Sequence, residues 1–294
     1  MSPDGKQIAL GRKDGIWLVD TRTGRTDPKP LRWLNHRDGT ISGFAFTSDG
    51  KSFIAARHST AYRWDLQTKQ AEVLLANDLI GISAMALSPD GKRLAIGDDS
   101  MNMTEWQVGT GTTNTLLHKW KQPSVIYNLT YSPSGEFLAC GLYEEVKCYN
   151  SAGKSVIGSA ASKMAHQSGV VHLAFNKHST RLASGDHCGN VAIWSPTAVR
   201  PIAKFRAHDP AQGATAGSVR AISFSRRSGN LVSIGDDEQL KVWDMQGKLV
   251  ESQRVKCPCA IIHDLRDTLV CAHRALGGFC RFADVRVGLS TMDF

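Results

Sequence analysis

Residues 219–244 read VRAISFSRRSGNLVSIGDDEQLKVWD, and this stretch decides the fold. A first apolar segment, Val219 to Phe224, runs into a polar turn and a second apolar segment that stops at Gly235. A third segment ends in Trp243-Asp244. Segments of five or six residues bounded by Gly, Ser or charged residues are typical of short β-strands joined by tight turns. The stretch therefore predicts three such strands in succession.

The first segment of this unit recurs along the chain. Its pattern is an apolar residue, two variable positions, an apolar residue, a small or polar residue, and an aromatic residue or Leu. The copies are Ile41–Phe46, Ile82–Leu87, Ile126–Tyr131, Val170–Phe175, Val219–Phe224 and Leu289–Phe294, with a weaker one around Cys259 to Leu265. Most are followed by a turn, a second strand and a third strand that ends in an aromatic residue. No ten-residue helical pattern intervenes, so the sequence excludes βαβ architecture and predicts an all-β fold.

The first segments end at residues 46, 87, 131, 175 and 224, which are 41, 44, 44 and 49 residues apart. These spacings match the length of a four-stranded propeller blade, and the repeat resembles the WD-repeat family of β-propellers over essentially the whole chain. The resemblance implies one domain over residues 1–294, built as a seven-bladed β-propeller of four-stranded antiparallel blades. The expected blades are approximately 1–35, 36–77, 78–120, 121–163, 164–207, 208–254 and 255–294. The last is about one strand short of the pattern, so an incomplete blade stays open.

The two ends of the chain fit together in the repeat. Leu289 to Phe294 completes the pattern that should precede Ser2 to Lys6, which predicts a ring closed by the C-terminal strand. Met1 stands where the pattern calls for Phe, which is also consistent with a fragment of a longer protein.

Composition excludes several classes of protein. Core-forming residues make up 41% of the 294 residues and charged residues 21%, as in a folded globular protein. No apolar run approaches the roughly 18 residues of a membrane helix. Residues 1–6 lack a secretory signal, and seven cysteines cannot all pair within one chain, so we expect a cytoplasmic protein.

Positive charge is mostly spread along the sequence, with one richer stretch. The chain has 35 basic and 27 acidic residues, a net charge of +8. Residues 200–227 include six basic residues and one acidic residue, Asp209. The basic residues are Arg200, Lys204, Arg206, Arg220, Arg226 and Arg227. This region indicates either a nucleic-acid contact or a solvated basic rim.

By similarity to the family, His208, Ser233, Asp237 and Trp243 form a buried hydrogen-bonded structural tetrad in the sixth blade. His, Ser and Asp together also occur in hydrolases. No nucleophile elbow or oxyanion loop accompanies them, which favours the structural role. The fifth blade keeps His166, Ser184 and Trp194 but has Cys188 where the family has Asp. We expect that cluster to be weaker by about 1 kcal/mol.

The last expected blade is rich in cysteine and histidine, whose sulfur and nitrogen atoms are common zinc ligands. The residues are Cys257, Cys259, His263, Cys271, His273 and Cys280. Their spacing is not that of a zinc module, so no metal site is predicted. No phosphate-binding glycine loop is present either, and we predict no cofactor and no enzymatic activity.

Propellers of this family present loops from every blade around one channel, and the resemblance implies a platform that binds protein or peptide segments on its narrow face. The nominated contact residues are Lys13, Arg57, Tyr127, His187, Arg220, Asp236 and Arg274. Five of these seven can be cationic, which favours an acidic or phosphorylated segment, and a role as one subunit of a larger complex. An insertion at residues 209–217 is expected to lean over the channel mouth. The alternatives are a nucleic-acid-associated protein that uses residues 200–227 and a propeller enzyme with a site at the channel mouth.

Overall fold

The computed structural model describes residues 2–12, 15–34, 41–76, 80–109, 114–157, 165–198, 200–209 and 217–255, and the backbone of three strands between 262 and 285. Every regular element in these residues is a β-strand. The described residues thus hold no helix long and apolar enough to cross a membrane. The predicted all-β class is confirmed.

The described strands form seven antiparallel sheets, which we number in chain order. Sheet 1 contains β1 (Gln7–Arg12) and β2 (Gly15–Asp20). Sheet 2 contains β3 (Ile41–Phe46), β4 (Ser52–Arg57), β5 (Thr60–Asp65) and β6 (Ala71–Leu75). Sheet 3 contains β7 (Ile82–Leu87), β8 (Arg93–Asp98), β9 (Asn102–Gln107) and β10 (Thr115–Lys121). Sheet 4 contains β11 (Asn128–Tyr131), β12 (Phe137–Gly141), β13 (Val146–Asn150) and β14 (Ser155–Ile157).

The remaining sheets follow the same order. Sheet 5 contains β15 (Val170–Phe175), β16 (Leu182–Asp186), β17 (Asn190–Trp194) and β18 (Pro201–Arg206). Sheet 6 contains β19 (Val219–Phe224), β20 (Leu231–Gly235), β21 (Gln239–Trp243) and β22 (Leu249–Arg254). Sheet 7 contains β23 (Ile262–Leu265), β24 (Thr268–Arg274) and β25 (Cys280–Val285). Five sheets thus show four strands, and the described parts of sheets 1 and 7 show two and three.

Local turn chemistry explains why the first two strands of a sheet pair. In sheet 3, the Asp90 carboxylate accepts hydrogen bonds from the Ser88 hydroxyl and from the backbone N–H of Lys92. Gly91 has a φ of 72°, a conformation that glycine adopts without a steric penalty. The turn therefore brings Leu87 opposite Leu94 and sets the register of the β7–β8 hairpin.

Successive sheets pack face to face. The core between sheets 5 and 6, for example, joins Val191 and Ile193 of β17 to Ile222, Phe224 and Trp243 of the next sheet. The first strands of sheets 2 to 7 also contact one another in chain order, so they lie innermost, around a common axis. This arrangement is that of a β-propeller. The number of blades and closure by Leu289–Phe294, which lies outside the described residues, stay predictions.

The predicted tetrad of sheet 6 is a chain of hydrogen bonds. Trp243 Nε1 donates to Ser233 Oγ over 2.9 Å, and Ser233 Oγ lies 2.7 Å from His208 Nε2. His208 Nδ1 lies 2.8 Å from Asp237 Oδ1. A neutral imidazole protonated on Nδ1 satisfies every one of these bonds. Burial by itself raises the pKa of Asp237, but the hydrogen bonds from His208 and Lys241 outweigh it and lower the pKa to about 2.

The expectation for the fifth cluster was wrong, because its acceptor comes from a different position. His166 Nδ1 lies 3.1 Å from Asp186 Oδ2, and His166 Nε2 lies 2.7 Å from Ser184 Oγ, which accepts from Trp194. Asp186 is two residues before Cys188 and is fully buried. The matching position in sheet 6 is Gly235, where a Cβ would collide with the His208 ring. The fifth cluster is therefore complete, with its carboxylate supplied by the end of β16.

Sheet 4 uses a third version of this cluster. Gln122 and Tyr149 are buried and exchange two hydrogen bonds, Nε2 to the phenol oxygen at 2.9 Å and the phenol to Oε1 at 3.1 Å. Gln122 precedes Ile126 by four residues, as His166 precedes Val170. An amide and a phenol thus replace the imidazole and indole that join the same elements in sheet 5.

His172 is half-buried in the inner strand β15. Burial, together with the positive charges that His187 and Arg220 can carry nearby, lowers the pKa of His172 to about 4. The ordinary value is 6.5. His172 therefore stays neutral in the folded protein at pH 7 and at pH 5.

The first prediction concerns Asp186, whose carboxylate accepts from His166 and from the backbone N–H groups of Cys188 and Asn190. We expect Asp186→Ala to lower the free energy of unfolding by about 3 kcal/mol, because several buried donors lose their acceptor. Cys188→Ala is the matched control and should cost less than about 1 kcal/mol. Urea unfolding measures both. Equal losses in the two variants would contradict the assignment of Asp186.

The second prediction concerns pH. Because the pKa of His172 is lower in the folded state, the unfolded chain binds more protons between about pH 6.5 and 4, and stability falls as pH falls through this window. We expect the loss between pH 7 and 5 to be smaller by about 1 to 2 kcal/mol in His172→Gln than in the unmodified protein. His178→Gln changes an exposed histidine and serves as the control. Urea unfolding at the two pH values tests this, and an unchanged loss in His172→Gln would refute it.

Candidate functional site

One end of the propeller collects the connections that lead into the inner strands and the turns between second and third strands. We call this end the upper face. In sheet 5 the His187 N–H donates to the Gly169 carbonyl over 3.2 Å, and in sheet 6 the Asp236 N–H donates to the Ser218 carbonyl over 3.0 Å. The buried clusters of sheets 5 and 6 join these same two elements through His166 and His208. The upper-face side chains are therefore held by both backbone and side-chain bonds.

A continuous row of contacts crosses the upper face from sheet 4 to sheet 6. It starts at Tyr143, which is 52% exposed and whose N–H donates to Ser124 Oγ over 3.0 Å. Tyr143 also forms an isolated β-bridge with Gly169 at the start of sheet 5. A Cβ on Gly169 would lie only 2.7 Å from the Tyr127 ring, so glycine lets that ring pack closely.

The row continues through His187 to sheet 6. The rings of Tyr127 and His187 meet edge to face with centroids 6.1 Å apart. His187 Nδ1 lies 3.2 Å from Ser218 Oγ. Beside Ser218, Arg220 makes two bonds to the Asp236 carboxylate, one from Nε and one from Nη2 over 3.2 Å. We call the set Ser124, Tyr127, Tyr143, Gly169, His187, Ser218, Arg220 and Asp236 the upper-face arc.

Four of the seven nominated contact residues lie in this arc: Tyr127, His187, Arg220 and Asp236. Arg57 does not fit the expectation of an exposed contact. It is only 7% exposed, and its guanidinium lies 5.1 Å from the centre of the Trp33 ring in a cation–π contact. Lys13 lies outside the described residues, as does the side chain of Arg274 in β24. Residues 210–216 of the expected loop insertion also lie outside them.

The arc carries less free positive charge than the sequence suggested. Arg220 is matched by the Asp236 carboxylate in a bidentate pair, so these two nominees largely neutralise each other. Arg57 is buried. The arc therefore presents aromatic rings and hydrogen-bonding groups together with one ion pair.

Sequence reasoning missed Tyr143 and Ser218. Tyr143 lies two residues after Gly141 in sheet 4, as His187 lies two residues after Gly185 in sheet 5. Alignment of the repeats therefore selects Tyr143 together with His187. Ser218 directly precedes β19 and carries no charge or aromatic ring to mark it. Ser218 belongs to the arc because its Oγ lies 3.2 Å from Nδ1 of His187 in the neighbouring sheet 5.

The described side chains offer no metal centre. Within the part of the chain whose side chains are described, no three His, Cys, Asp or Glu residues converge to hold an ion. The side chains of Cys257 to Cys280 lie outside that part. Ser233 and Ser184, the hydroxyls next to histidine, are fully buried and each accepts a bond from tryptophan, so neither is placed to meet a substrate.

Comparison with known proteins agrees with this architecture. The family described as "WD domain, G-beta repeat" matches residues 159–195 and 199–244, which include β15 to β21. Telomerase protein component 1 of Rattus norvegicus is 27% identical over 82% of this chain. Periodic tryptophan protein 2 homolog of Schizosaccharomyces pombe is 24% identical over 55% of it, and WD repeat-containing protein 18 of Danio rerio is 22% identical over 66%.

The chain covers only part of each relative: 9% of the telomerase component, 19% of the periodic tryptophan protein and 48% of the WD repeat-containing protein. The repeat, the inner strands around one axis, the histidine–serine–tryptophan clusters and these matches all lead to the same conclusion. Together they support assignment of the chain to the WD-repeat family, whose repeat model matches residues 159–195 and 199–244.

Proposed function

We propose that this protein is a non-catalytic interaction scaffold that binds an extended protein segment along the upper-face arc. The observation that carries the proposal is the continuity of the arc, in which the buried Ser218 joins exposed or half-exposed side chains of three sheets into one row. Aromatic residues are enriched at the centres of protein interfaces, where they bury much area at a small entropic cost. A row of Tyr143, Tyr127 and His187 supplies such a centre.

The chemistry of the arc suggests what the segment contains. Val125 is 43% exposed in the same connection as Ser124 and extends the apolar end next to Tyr143. At the other end, Arg220 and Asp236 offer both a donor and an acceptor. We therefore infer a segment with an apolar or aromatic side chain toward sheet 4 and polar groups toward sheet 6. The neutralised ion pair makes a strongly acidic segment a poorer match than the sequence suggested.

Two features support a role inside a larger complex in a reducing compartment. One similar protein is named as a component of telomerase, which supports a propeller that serves as one part of an assembly. Cys140 and Cys148 are buried free thiols, and burial raises the pKa of Cys148 to about 12, so it is unreactive at neutral pH. A cytoplasmic location is our proposal on this basis.

Nucleic-acid association is the second candidate, because a similar protein is named as a telomerase component and the net charge is +8. The basic residues of 200–227 do not form one patch, however. Lys204 and Arg206 lie in the outer strand β18, where Arg206 pairs with Asp209 over 3.0 Å. Arg220 lies on the upper face. Only Arg226 and Arg227 share one turn, at the opposite end of sheet 6.

The third prediction tests the arc as a protein-binding surface. The double variant Tyr143→Ala, His187→Ala should reduce capture of the protein's specific partners from native lysate by about tenfold or more, because truncating a central aromatic contact costs about 2 kcal/mol. Quantitative mass spectrometry of the captured proteins is the measurement.

The matched control is Leu116→Ala, Val250→Ala, which removes two exposed apolar side chains from the outer strands β10 and β22. This control should retain the partners at unmodified levels. If the arc variant and the control retain the same proteins in the same amounts, the arc is not the binding surface.

A further inference from the structure

Three large apolar side chains are exposed on the upper face of sheets 3 and 4, at and beyond the apolar end of the arc. Val125 and Tyr143 lie on sheet 4, and Ile80 lies in the connection that leads into sheet 3. Ile80 is 66% exposed, the highest value among the large hydrophobic side chains of the described residues. Exposed apolar side chains that lie together often mark a surface that a partner covers.

The turn between β8 and β9 joins these side chains. The Asp99 N–H donates to the Ile80 carbonyl over 3.2 Å, which fixes the connection into sheet 3. On the other side of the turn, the Met101 carbonyl accepts from the Gln122 N–H over 2.8 Å, where the connection that carries Val125 begins. The exposed apolar side chains of sheets 3 and 4 therefore lie along one path of contacts that continues the arc.

The upper ends of sheets 3 to 6 are acidic, although the whole chain is basic. Residues 98–101, 142–145, 186–189 and 236–238 include eight acidic residues and no lysine or arginine. Several of these carboxylates are matched inside the protein, as Asp186 is by His166 and Asp236 by Arg220. The unmatched charge that a partner meets therefore depends on which carboxylates are left.

Two carboxylates are left at the apolar end of the arc. Asp99 is exposed and Glu144 is half-exposed, and neither side chain forms a hydrogen bond or an ion pair within the described part of the chain. Asp99 lies beside Ile80, and Glu144 directly follows Tyr143. We call Ile80, Asp99, Val125, Tyr143 and Glu144 the acidic-apolar end of the arc.

We propose that the acidic-apolar end of the arc binds a stretch of protein in which an apolar or aromatic side chain is flanked by lysine or arginine. This inference rests on the protein-binding role proposed for the arc and adds the charge of the partner. The apolar side chain covers Ile80, Val125 and Tyr143, as at the centre of a protein interface. The basic side chains lie beside Asp99 and Glu144 at the rim, where complementary charge selects the partner.

Other occupants fit this surface less well. The phosphates of a nucleic acid, or an acidic peptide, would meet two carboxylates that no described cation matches. Lys121, at the edge of the surface, donates its ammonium to the Ser100 carbonyl. A metal ion needs more ligands, and within the described side chains no three His, Cys, Asp or Glu residues converge. Apolar area together with unmatched carboxylates therefore favours a basic protein segment.

The fourth prediction tests this inference with random 12-residue peptides displayed on phage and selected on the immobilised full chain. Sequencing should show lysine or arginine within two residues of an aromatic or large apolar residue more often than in the unselected library. Asp99→Asn, Glu144→Gln should abolish this basic preference and keep the aromatic one, because it removes two charges and preserves side-chain size. For the most enriched peptide, labelled with fluorescein, Kd from anisotropy should rise about fivefold in this double variant, as expected for two exposed ion pairs.

The matched control is Asp49→Asn, Asp90→Asn on the lower face, the opposite end of the sheets, which holds the turns between first and second strands. It removes the same number of exposed carboxylates, and asparagine can still accept the N–H groups of Lys51 and Lys92. Asn176 accepts such bonds in the matching turn of sheet 5, and serine hydroxyls accept them in sheet 6. We expect the control to select the same peptides as the unmodified protein.

The outcomes separate this inference from the proposal for the arc as a whole. Basic peptides retained by Asp99→Asn, Glu144→Gln, or lost equally in the control, would overturn the inference. Selection of aromatic peptides without lysine or arginine would also overturn it and leave the arc as a binding surface. If no peptide is enriched, or if Tyr143→Ala, His187→Ala selects the same peptides as the unmodified protein, both proposals fall. Circular dichroism of each variant checks that it is folded.

Discussion

Apolar packing between neighbouring sheets is the interaction on which the rest of this structure depends. A four-stranded sheet has two faces, and a sheet without neighbours exposes both faces to water. Here Trp64 of sheet 2 packs in a core with Trp33, which precedes that sheet, and Trp194 of sheet 5 packs in a core with residues of sheet 4. Each sheet is therefore stable only beside its neighbours, which explains why the repeat must continue around an axis.

The upper-face arc follows from that packing. Stacked sheets bring equivalent turns of neighbouring repeats side by side, so a row of contacts across three sheets needs no long loop. The hydrogen-bonded clusters around His166 and His208 then fix the turns that carry His187 and Asp236. On the lower face the turns close with Asn176 or serine as readily as with aspartate. This exchange changes the charge of the surface and leaves the hairpin intact, so the two faces can vary independently.

The sequence predicts the fold far better than the site. Strand positions depend on local apolar periodicity and turn residues, so β3, β7, β15 and β19 coincide with the predicted segments. The carboxylate of Asp186 was missed because either the last residue of β16 or a residue of the turn that follows can reach the same histidine, and only coordinates distinguish them. Arg220 and Asp236 were both nominated as contact residues, and both lie on the upper face. Their mutual neutralisation is a tertiary contact between separate strands, which no local pattern encodes.

The central claim is that the stacked sheets form one closed ring with two opposite faces, and an experimental density map at side-chain resolution tests it most directly. The account predicts seven sheets around one axis, with Leu289 to Phe294 as a strand of the sheet that contains β1. It also predicts Tyr143, His187 and Arg220 at one end of the channel and Lys177 and Arg226 at the other. A ring of six or eight sheets, or sheets 5 and 6 turned so that these residues share one face, would contradict it.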